Sequence, residues 1–151
     1  MVSVEAILGS SRGLIVAPAG CGKTHLITET LAVADDKPYL VLTHTTAGVA
    51  ALKQRLKRLG VPNKNYVVST IDGWARYIAN IFPASCDVRA MPDNPGVFYP
   101  ELRRKVQGYV GPGHISEIIN SSYRRLLVDE YQDCNVDQHA LMLEKHAPEK
   151  V

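Results

Sequence analysis

The sequence has little of what marks secreted, zinc-binding or membrane proteins. Its cysteines form an odd count of three without a C-x-x-C pair, which argues against a disulfide scaffold and a zinc site and fits a reducing compartment. No apolar run approaches the roughly 20 residues that span a bilayer. The N-terminus "MVSVEAILGSSRG" lacks the charged-then-apolar pattern of a signal peptide. We therefore expect a cytoplasmic protein without a membrane partner.

Charge of either sign is not in excess. The 151 residues carry a net charge of +2, with 46% hydrophobic and 21% charged residues, the usual balance of a globular protein. This net charge favours neither a polyanionic partner nor its absence. The length suits one domain with a core large enough to fold alone, so we assign residues 1–151 to a single domain.

Four short apolar runs are typical of strands buried on both faces of a parallel sheet. They are Leu14–Ala17, Tyr39–Thr43, Tyr66–Thr70 and Arg125–Glu130. Helical patterns follow them, and we expect helices at Lys23–Ala34, Thr45–Leu59, Thr70–Ile81 and Val136–His146, with Pro83 closing the third. This alternation predicts an α/β fold with a parallel sheet and helices on both faces.

The alternation stops between Phe82 and Ser122. This stretch holds five prolines and four glycines. A structureless loop of about 40 residues is unusual in a compact domain. We therefore expect a short irregular insertion or small subdomain at about 82–122, with a short helix near Glu101–Gln107.

The segment A-P-A-G-C-G-K-T follows the first predicted strand and opens the first predicted helix. It matches the phosphate-loop pattern GxxxxGK[ST] except at its first position. In this pattern the glycines turn the backbone so that N–H groups meet phosphate oxygens, the lysine reaches the β- and γ-phosphates and the threonine hydroxyl binds Mg²⁺. The strand–loop–helix context disfavours a chance glycine-rich turn. The predicted nucleotide-binding residues are Ala17, Pro18, Ala19, Gly20, Cys21, Gly22, Lys23 and Thr24.

The last predicted strand ends in two acidic residues, Asp129 and Glu130. The carboxyl ends of parallel strands share one edge, where ligands bind. We therefore predict that Asp129 serves Mg²⁺ together with Thr24, and that Glu130 orients and deprotonates the attacking water. Alone, such an acidic pair is also typical of strand ends that only cap the next helix.

Four segments together resemble the first four motifs of superfamily 1 helicases of the UvrD/Rep type. They are "APAGCGKT", "VLTHTTAGVAALKQRL", "VSTIDGWARYIAN" and "LLVDEYQDCN", in this order. That family carries [AG]-x-A-G-[ST]-G-K-[ST] and D-E-x-Q-D, so Ala17 is normal for it and Asp129–Asp133 fits in full. The resemblance covers most of residues 5–146 and implies the first RecA-like domain of a P-loop NTPase.

The resemblance also implies roles at a single-stranded DNA site. Gln132 would sense the γ-phosphate and couple it to movement. Thr43, His44 and Thr45 would lie along the DNA strand, with the His44 ring stacking on a base. Thr70 resembles a residue that touches the DNA backbone, whereas the following acid, Asp72, should repel phosphate.

The chain departs from the family pattern in three ways. No glutamine precedes the first strand to read adenine, the insertion is shorter than usual, and the motifs of the second RecA-like domain with its arginine finger are absent from these 151 residues. We therefore expect the chain to bind ATP weakly and to hydrolyse it poorly without that C-terminal domain or a partner protein.

Three function classes follow from these motifs. The first is the ATP-binding domain of an ATP-dependent DNA helicase or translocase acting on single-stranded DNA. The second is a non-enzymatic nucleotide-binding remnant or split-protein module that needs a partner. The third is a small-molecule phosphotransferase, which is weaker because D-E-x-Q-D has no role there.

Several other residues have a structural interpretation. The basic stretch at residues 53–58 on the second predicted helix is typical of a solvated face, as are Arg103–Lys105 and Arg124–Arg125. Trp74 and Tyr77 lie three apart on a helix, which favours packing over base stacking.

Overall fold

The computed structural model describes residues 2–10, 22–110 and 121–138. Six helices are named here: α1 (Val4–Gly9), α2 (Lys23–Ala32), α3 (Thr46–Arg58), α4 (Ile71–Ile81), α5 (Pro83–Cys86) and α6 (Pro95–Val110). The strands are β1 (Tyr39–Thr43), β2 (Tyr66–Thr70) and β3 (Leu126–Val128). Short 3₁₀ turns occupy Asn63–Asn65 and Tyr131–Asp133.

The three strands form one all-parallel sheet in the order β2-β1-β3. In this sheet β1 is central, with Tyr39 opposite Tyr66 on one side and Leu40 opposite Leu126 on the other. All five residues of β1 are buried, as expected for a strand covered on both faces. The predicted α/β fold with a parallel sheet is confirmed for the described residues, and the predicted first strand, Leu14–Ala17, lies outside them.

Helices cover both faces of the sheet. Leu40 and Leu42 of β1 join a core cluster with residues of α4, α5 and α6, while Tyr39 and Val41 join a second cluster with residues of α2 and α3. Successive residues of a strand point to opposite faces, so one strand feeds both cores. We call these the α4–α6 layer and the α2–α3 layer.

The predicted helix bounds are close to those observed. α2 ends two residues before the predicted Ala34. The predicted ends of α3 are its capping residues Thr45 and Leu59, and the predicted start of α4 is its cap Thr70. Residues 136–138 are helical, and the rest of the helix predicted at Val136–His146 lies outside the described residues.

The prediction of an irregular insertion at about 82–122 is wrong for much of its described part. Pro83 and Pro95 begin helices α5 and α6, where a missing N–H costs no hydrogen bond. The helix expected near Glu101–Gln107 extends over Pro95–Val110. Its residues Phe98, Leu102 and Val106 are buried in the same cluster as Leu40 and Leu42, so α6 is part of the α4–α6 layer.

Among the helices of the described ranges, none is both long and apolar enough to cross a membrane.

Candidate functional site

The acidic pair lies where β3 ends. The backbone N–H of Asp129 donates to the Leu42 carbonyl at 2.9 Å, which continues the pairing of β3 with β1 by one residue. Burial, and next the Glu130 carboxylate, raises the pKa of Asp129 above its ordinary value, while the Lys23 ammonium acts in the opposite direction. Asp129 is thus a half-buried carboxylate within electrostatic reach of Lys23.

Glu130 has a left-handed backbone, with φ of 54°. This conformation costs a non-glycine residue about 1 kcal/mol. It turns the chain from β3 into the 3₁₀ turn Tyr131–Asp133, whose Gln132 donates a side-chain hydrogen bond to the Glu130 carboxylate. The structure therefore brings together two residues that the sequence places in catalytic and sensing roles.

Gly22 ends the predicted phosphate loop and caps α2. Its φ of 80° lies in the left-handed region that favours glycine. The Leu26 N–H donates to its carbonyl at 2.9 Å, so the helix begins directly after it and carries Lys23 and Thr24 in its first turn. The other predicted loop residues, Ala17, Pro18, Ala19, Gly20 and Cys21, lie outside the described residues.

Two threonines at the starts of α3 and α4 act as helix caps. Thr45 Oγ1 accepts the Gly48 N–H at 3.0 Å, and Thr70 Oγ1 accepts the Gly73 N–H at 2.9 Å. A Cβ on Gly73 would lie 2.7 Å from Thr70 Oγ1, which makes glycine necessary for this close approach. The shared spacing Thr-x-x-Gly is a signal of capping that the sequence analysis missed.

One cleft of about 410 Å³ joins six of the predicted site residues, whereas Lys23 and Gln132 do not line it. Of the residues predicted from sequence, it is lined by Thr24, Thr43, His44, Thr45, Asp129 and Glu130. Thr43 is buried, whereas His44 and Thr45 are exposed. Thr70 does not line the cleft, so the predicted DNA-binding residues fall into two places.

The cleft also has a wall that the sequence analysis did not assign to the site. It is formed by one side of α3, with Gly48, Ala51, Leu52, Gln54, Arg55 and Arg58, and by Asp133 after β3. Lys53, Lys57 and Arg58 are exposed, as expected for a solvated basic face, whereas Arg55 is half-buried.

Asp72, expected to repel DNA, has a structural partner. Its carboxylate accepts two hydrogen bonds from the Arg103 guanidinium, at 2.7 and 2.6 Å, and one from the Gln138 amide at 3.3 Å. Arg103 is only 13% exposed. The interpretation of Arg103 as a solvated charge is wrong, because this bidentate pair fixes α6 to α4.

The second basic pair, Arg124 and Arg125, is also bound within the protein. Arg124 Nε donates to Asp35 at 2.8 Å, and the Arg125 guanidinium donates to the carbonyls of Leu8 and Ser10 at the end of α1. The packing predicted for Trp74 is confirmed, since it is 2% exposed, but Tyr77 is 54% exposed and the same prediction is wrong for it.

The donors in the cleft fit a magnesium–nucleotide complex. Mg²⁺ prefers oxygen ligands and is usually bound through one or two carboxylates together with substrate phosphates and water. The Thr24 hydroxyl and the Asp129 carboxylate are such donors. In the ranges that the structure describes, no group of three or more His, Cys, Asp or Glu residues forms a metal cage, so the phosphates would have to supply the remaining ligands.

No protein-family model matches this chain, and comparisons with curated proteins and with solved structures likewise give no significant match.

Proposed function

We propose that this chain is an ATP-binding, RecA-like domain of a superfamily 1 DNA helicase or translocase that acts on single-stranded DNA. The observation that carries the proposal is the cleft lined by Thr24, Asp129 and Glu130 at the carboxyl edge of a parallel sheet. Parallel α/β sheets bind ligands at this edge. The order of the four sequence motifs supports the same function.

Each polar group at this edge has a role in the proposal. Lys23 binds the β- and γ-phosphates, and the positive end of α2 adds to the attraction. Thr24 and Asp129 hold Mg²⁺, which supplies charge neutralisation at the phosphates when bound. Glu130 accepts a proton from the attacking water. Gln132, hydrogen-bonded to Glu130, would sense the γ-phosphate.

The exposed residues that follow β1 support the proposed DNA contact. His44 offers an accessible ring beside the cleft, and stacking on such rings is a common way to hold single-stranded nucleic acid. Thr45 accepts the Gly48 N–H, and its hydroxyl hydrogen can still donate to a phosphate. The nucleotide and the single-stranded DNA would therefore bind at the ends of neighbouring β-strands.

Efficient hydrolysis in this class needs an arginine finger, which is worth about 10³–10⁵ in rate. The motifs that would supply it in the resembled family are absent from the 151 residues. We propose that a second RecA-like domain or a partner protein provides it. A nucleotide-binding module that does not itself catalyse hydrolysis is the alternative.

Calorimetry with ATP and MgCl₂ tests the nucleotide site. Lys23→Ala removes the cation that meets the β- and γ-phosphates, so binding should weaken at least tenfold, or about 1.4 kcal/mol. Lys64→Ala is the matched control, because this exposed lysine lies before β2, at the opposite edge of the sheet. Equal affinity of Lys23→Ala and the unaltered chain would refute the proposed nucleotide site.

Steady-state ATPase assays distinguish a catalytic ATPase domain from a module that only binds nucleotide. We expect slow hydrolysis by this chain, with or without single-stranded DNA. Robust DNA-stimulated turnover would contradict the need for a second domain. ATP binding without turnover, even after addition of the complementing domain, would favour the module.

A further inference from the structure

The turn that carries the acidic pair has a strained backbone that needs support. The left-handed conformation of Glu130, with φ of 54°, persists only where the surrounding structure holds it. The Asp133 N–H donates to the Glu130 carbonyl at 2.9 Å. The Cys134 N–H donates to the Tyr131 carbonyl at 3.1 Å. Because both bonds lie within the turn, they shape it without tying it to another element.

The start of the turn is fixed to the sheet. The Asp129 N–H donates to the Leu42 carbonyl of β1, and this bond holds the last residue of the β3 ladder. Tyr131 and Cys134 then pack against the core cluster of the α4–α6 layer, but they are only partly buried. A second fixed point is therefore needed where the turn ends.

The end of the turn leads to Gln138, a polar side chain that is only 2% exposed. Its side-chain oxygen accepts the Asn135 N–H at 3.2 Å, and its backbone N–H donates to the Asn135 side chain at 2.9 Å. This reciprocal pair caps the helical residues 136–138. The side-chain nitrogen of Gln138 donates to Asp72 Oδ1 of α4 at 3.3 Å. The buried amide thus joins the end of the turn to another helix.

Asp72 is a firm anchor for this amide because Arg103 holds it in place. The Arg103 guanidinium donates two hydrogen bonds to the Asp72 carboxylate, at 2.7 and 2.6 Å, and the two side chains are only 13% and 25% exposed. Charge-assisted bidentate pairs of this kind fix the orientation of the carboxylate. Asp72 therefore connects α4, α6 and the segment that follows the acidic turn.

We propose that Gln138 is a positioning residue for Asp129 and Glu130, because it holds the end of the acidic turn on α4. It does not line the cleft, so it acts through the turn and not by touching the nucleotide or the metal. The inference rests on the proposed function for the identity of the ligand. Gln138 itself lies outside the four motifs that suggested that function.

Hydrogen exchange of the ligand-free chain, followed by NMR, tests the anchor. Gln138→Ala removes the link to α4, so exchange of the Asp133 and Cys134 amides should become about tenfold faster through local opening. The Leu40 N–H, bonded to the Arg125 carbonyl at the other end of β3, is the internal reference. A general loss of stability would accelerate all three amides, whereas loss of the anchor raises the ratio of turn to reference. Gln107→Ala, the same truncation on α6, is the matched control and should keep this ratio.

An exchange of chemical roles tests the direct bond between the two side chains. Gln138→Glu places a second carboxylate beside Asp72, and the repulsion should free the turn as Gln138→Ala does. Asp72→Asn/Gln138→Glu restores a bond between amide and carboxylate with donor and acceptor exchanged, so slow exchange of the turn should return. A double variant that exchanges as fast as Gln138→Glu alone would overturn the proposed link.

Calorimetry with ATP, in MgCl₂ and in EDTA, tests the role in the site. Loss of a residue that bonds a metal ligand directly lowers metal affinity about 10–100-fold. Gln138 acts from further away, so Gln138→Ala should lower the gain in ATP affinity caused by Mg²⁺ about threefold and leave affinity in EDTA unchanged. An unchanged gain in a chain whose turn has loosened would overturn the positioning role.

Failure of the proposed function would look different from failure of the anchor. A chain that binds ATP in neither buffer, yet loses protection of the turn in Gln138→Ala, would refute the nucleotide site and the role toward the metal but not the anchor. Unchanged protection of the turn in Gln138→Ala would refute the anchor, whatever the chain binds.

Discussion

The two helical layers on the sheet satisfy their polar and charged groups in opposite ways. In the α4–α6 layer, Trp74 and Leu102 are buried in the core, and Arg103 meets Asp72 in a bidentate pair. In the α2–α3 layer, a cleft is left open beside Gly48, and Arg55 and Arg58 line it without an ion pair among the described residues. The first layer has an ion pair that joins two of its helices, whereas the second has two basic side chains of α3 at the wall of an open cleft.

This difference separates stability from binding. Breaking a partly buried pair leaves an uncompensated charge, which costs stability. Removing a cation that has no partner costs little stability and changes only what the surface attracts. Substitutions in the α4–α6 core and at its ion pair should thus lower the free energy of unfolding, whereas substitution of the charged residues of α3 that line the cleft should change it less.

The largest expected effect is at Trp74. Trp74→Ala should lower the free energy of unfolding by about 3–5 kcal/mol, because a fully buried aromatic side chain leaves a cavity in the core. Urea denaturation measures the loss. Tyr77→Ala, on the same helix but exposed, should change stability by no more than about 0.5 kcal/mol. Similar losses for both would show that this core is not as closed as described.

A smaller effect is expected at the pair that joins α4 to α6. Asp72→Ala should cost about 2 kcal/mol, because Arg103 loses two charge-assisted hydrogen bonds and is left with little contact with water. A double-mutant cycle with Arg103→Ala, followed by urea denaturation, isolates the coupling between the two side chains.

The pair between Asp87 and Arg89 is the control for this cycle. Both side chains are largely exposed, and such surface pairs usually give no measurable coupling. Equal coupling in the two cycles would remove the contrast between a pair that holds helices together and one that lies on the surface.

The smallest effect depends on pH and concerns Glu101 of α6. Its carboxylate accepts backbone N–H groups from Arg89 at 3.1 Å and Ala90 at 2.9 Å, and these bonds lower the pKa of Glu101. A lowered pKa in the folded state adds stability above the ordinary carboxyl pKa and loses it as pH falls through the folded value.

Glu101→Gln should therefore lower the urea midpoint at pH 7, and the loss should be smaller at pH 3. Urea denaturation of Glu101→Gln and of the unaltered chain at pH 7 and at pH 3 checks this. A difference that is the same at both pH values would mean that the carboxylate charge does not contribute.

Much of the sheet was readable from sequence. The continuous apolar run of β1 gave its bounds, because a strand covered on both faces cannot alternate with polar residues. The bounds of β2 followed from its run of β-forming residues, although this edge strand is only partly buried. The acidic edge was also predictable, because the carboxyl ends of all parallel strands lie at the same edge of the sheet. The pairing of Arg103 with Asp72 was not, because residues 31 apart come together only through the packing of α6 on α4.

The helix α6 shows why composition misled. Its prolines suggested an irregular stretch, yet Pro95 stands at the helix start, where proline is favoured, and the helix continues through Pro100. The spacing of four between Phe98, Leu102 and Val106 was the signal of a buried helix face. The face of α3 that meets the cleft was likewise hidden in the sequence, since only the fold places Arg55 opposite the acidic edge.

The central position of β1 has a consequence for how the chain folds during synthesis. Its edge toward β3 has no partner until Leu126 has been made, although Tyr39 can pair with Tyr66 much earlier. The interval of about 80 residues corresponds to roughly 4–16 s of translation at about 5–20 residues per second. During that time the unpaired backbone groups along this edge of β1 are open to wrong pairing, which is the usual route to aggregation. Rapid emergence from the ribosome of the segment that ends in β3 would therefore protect the nascent protein.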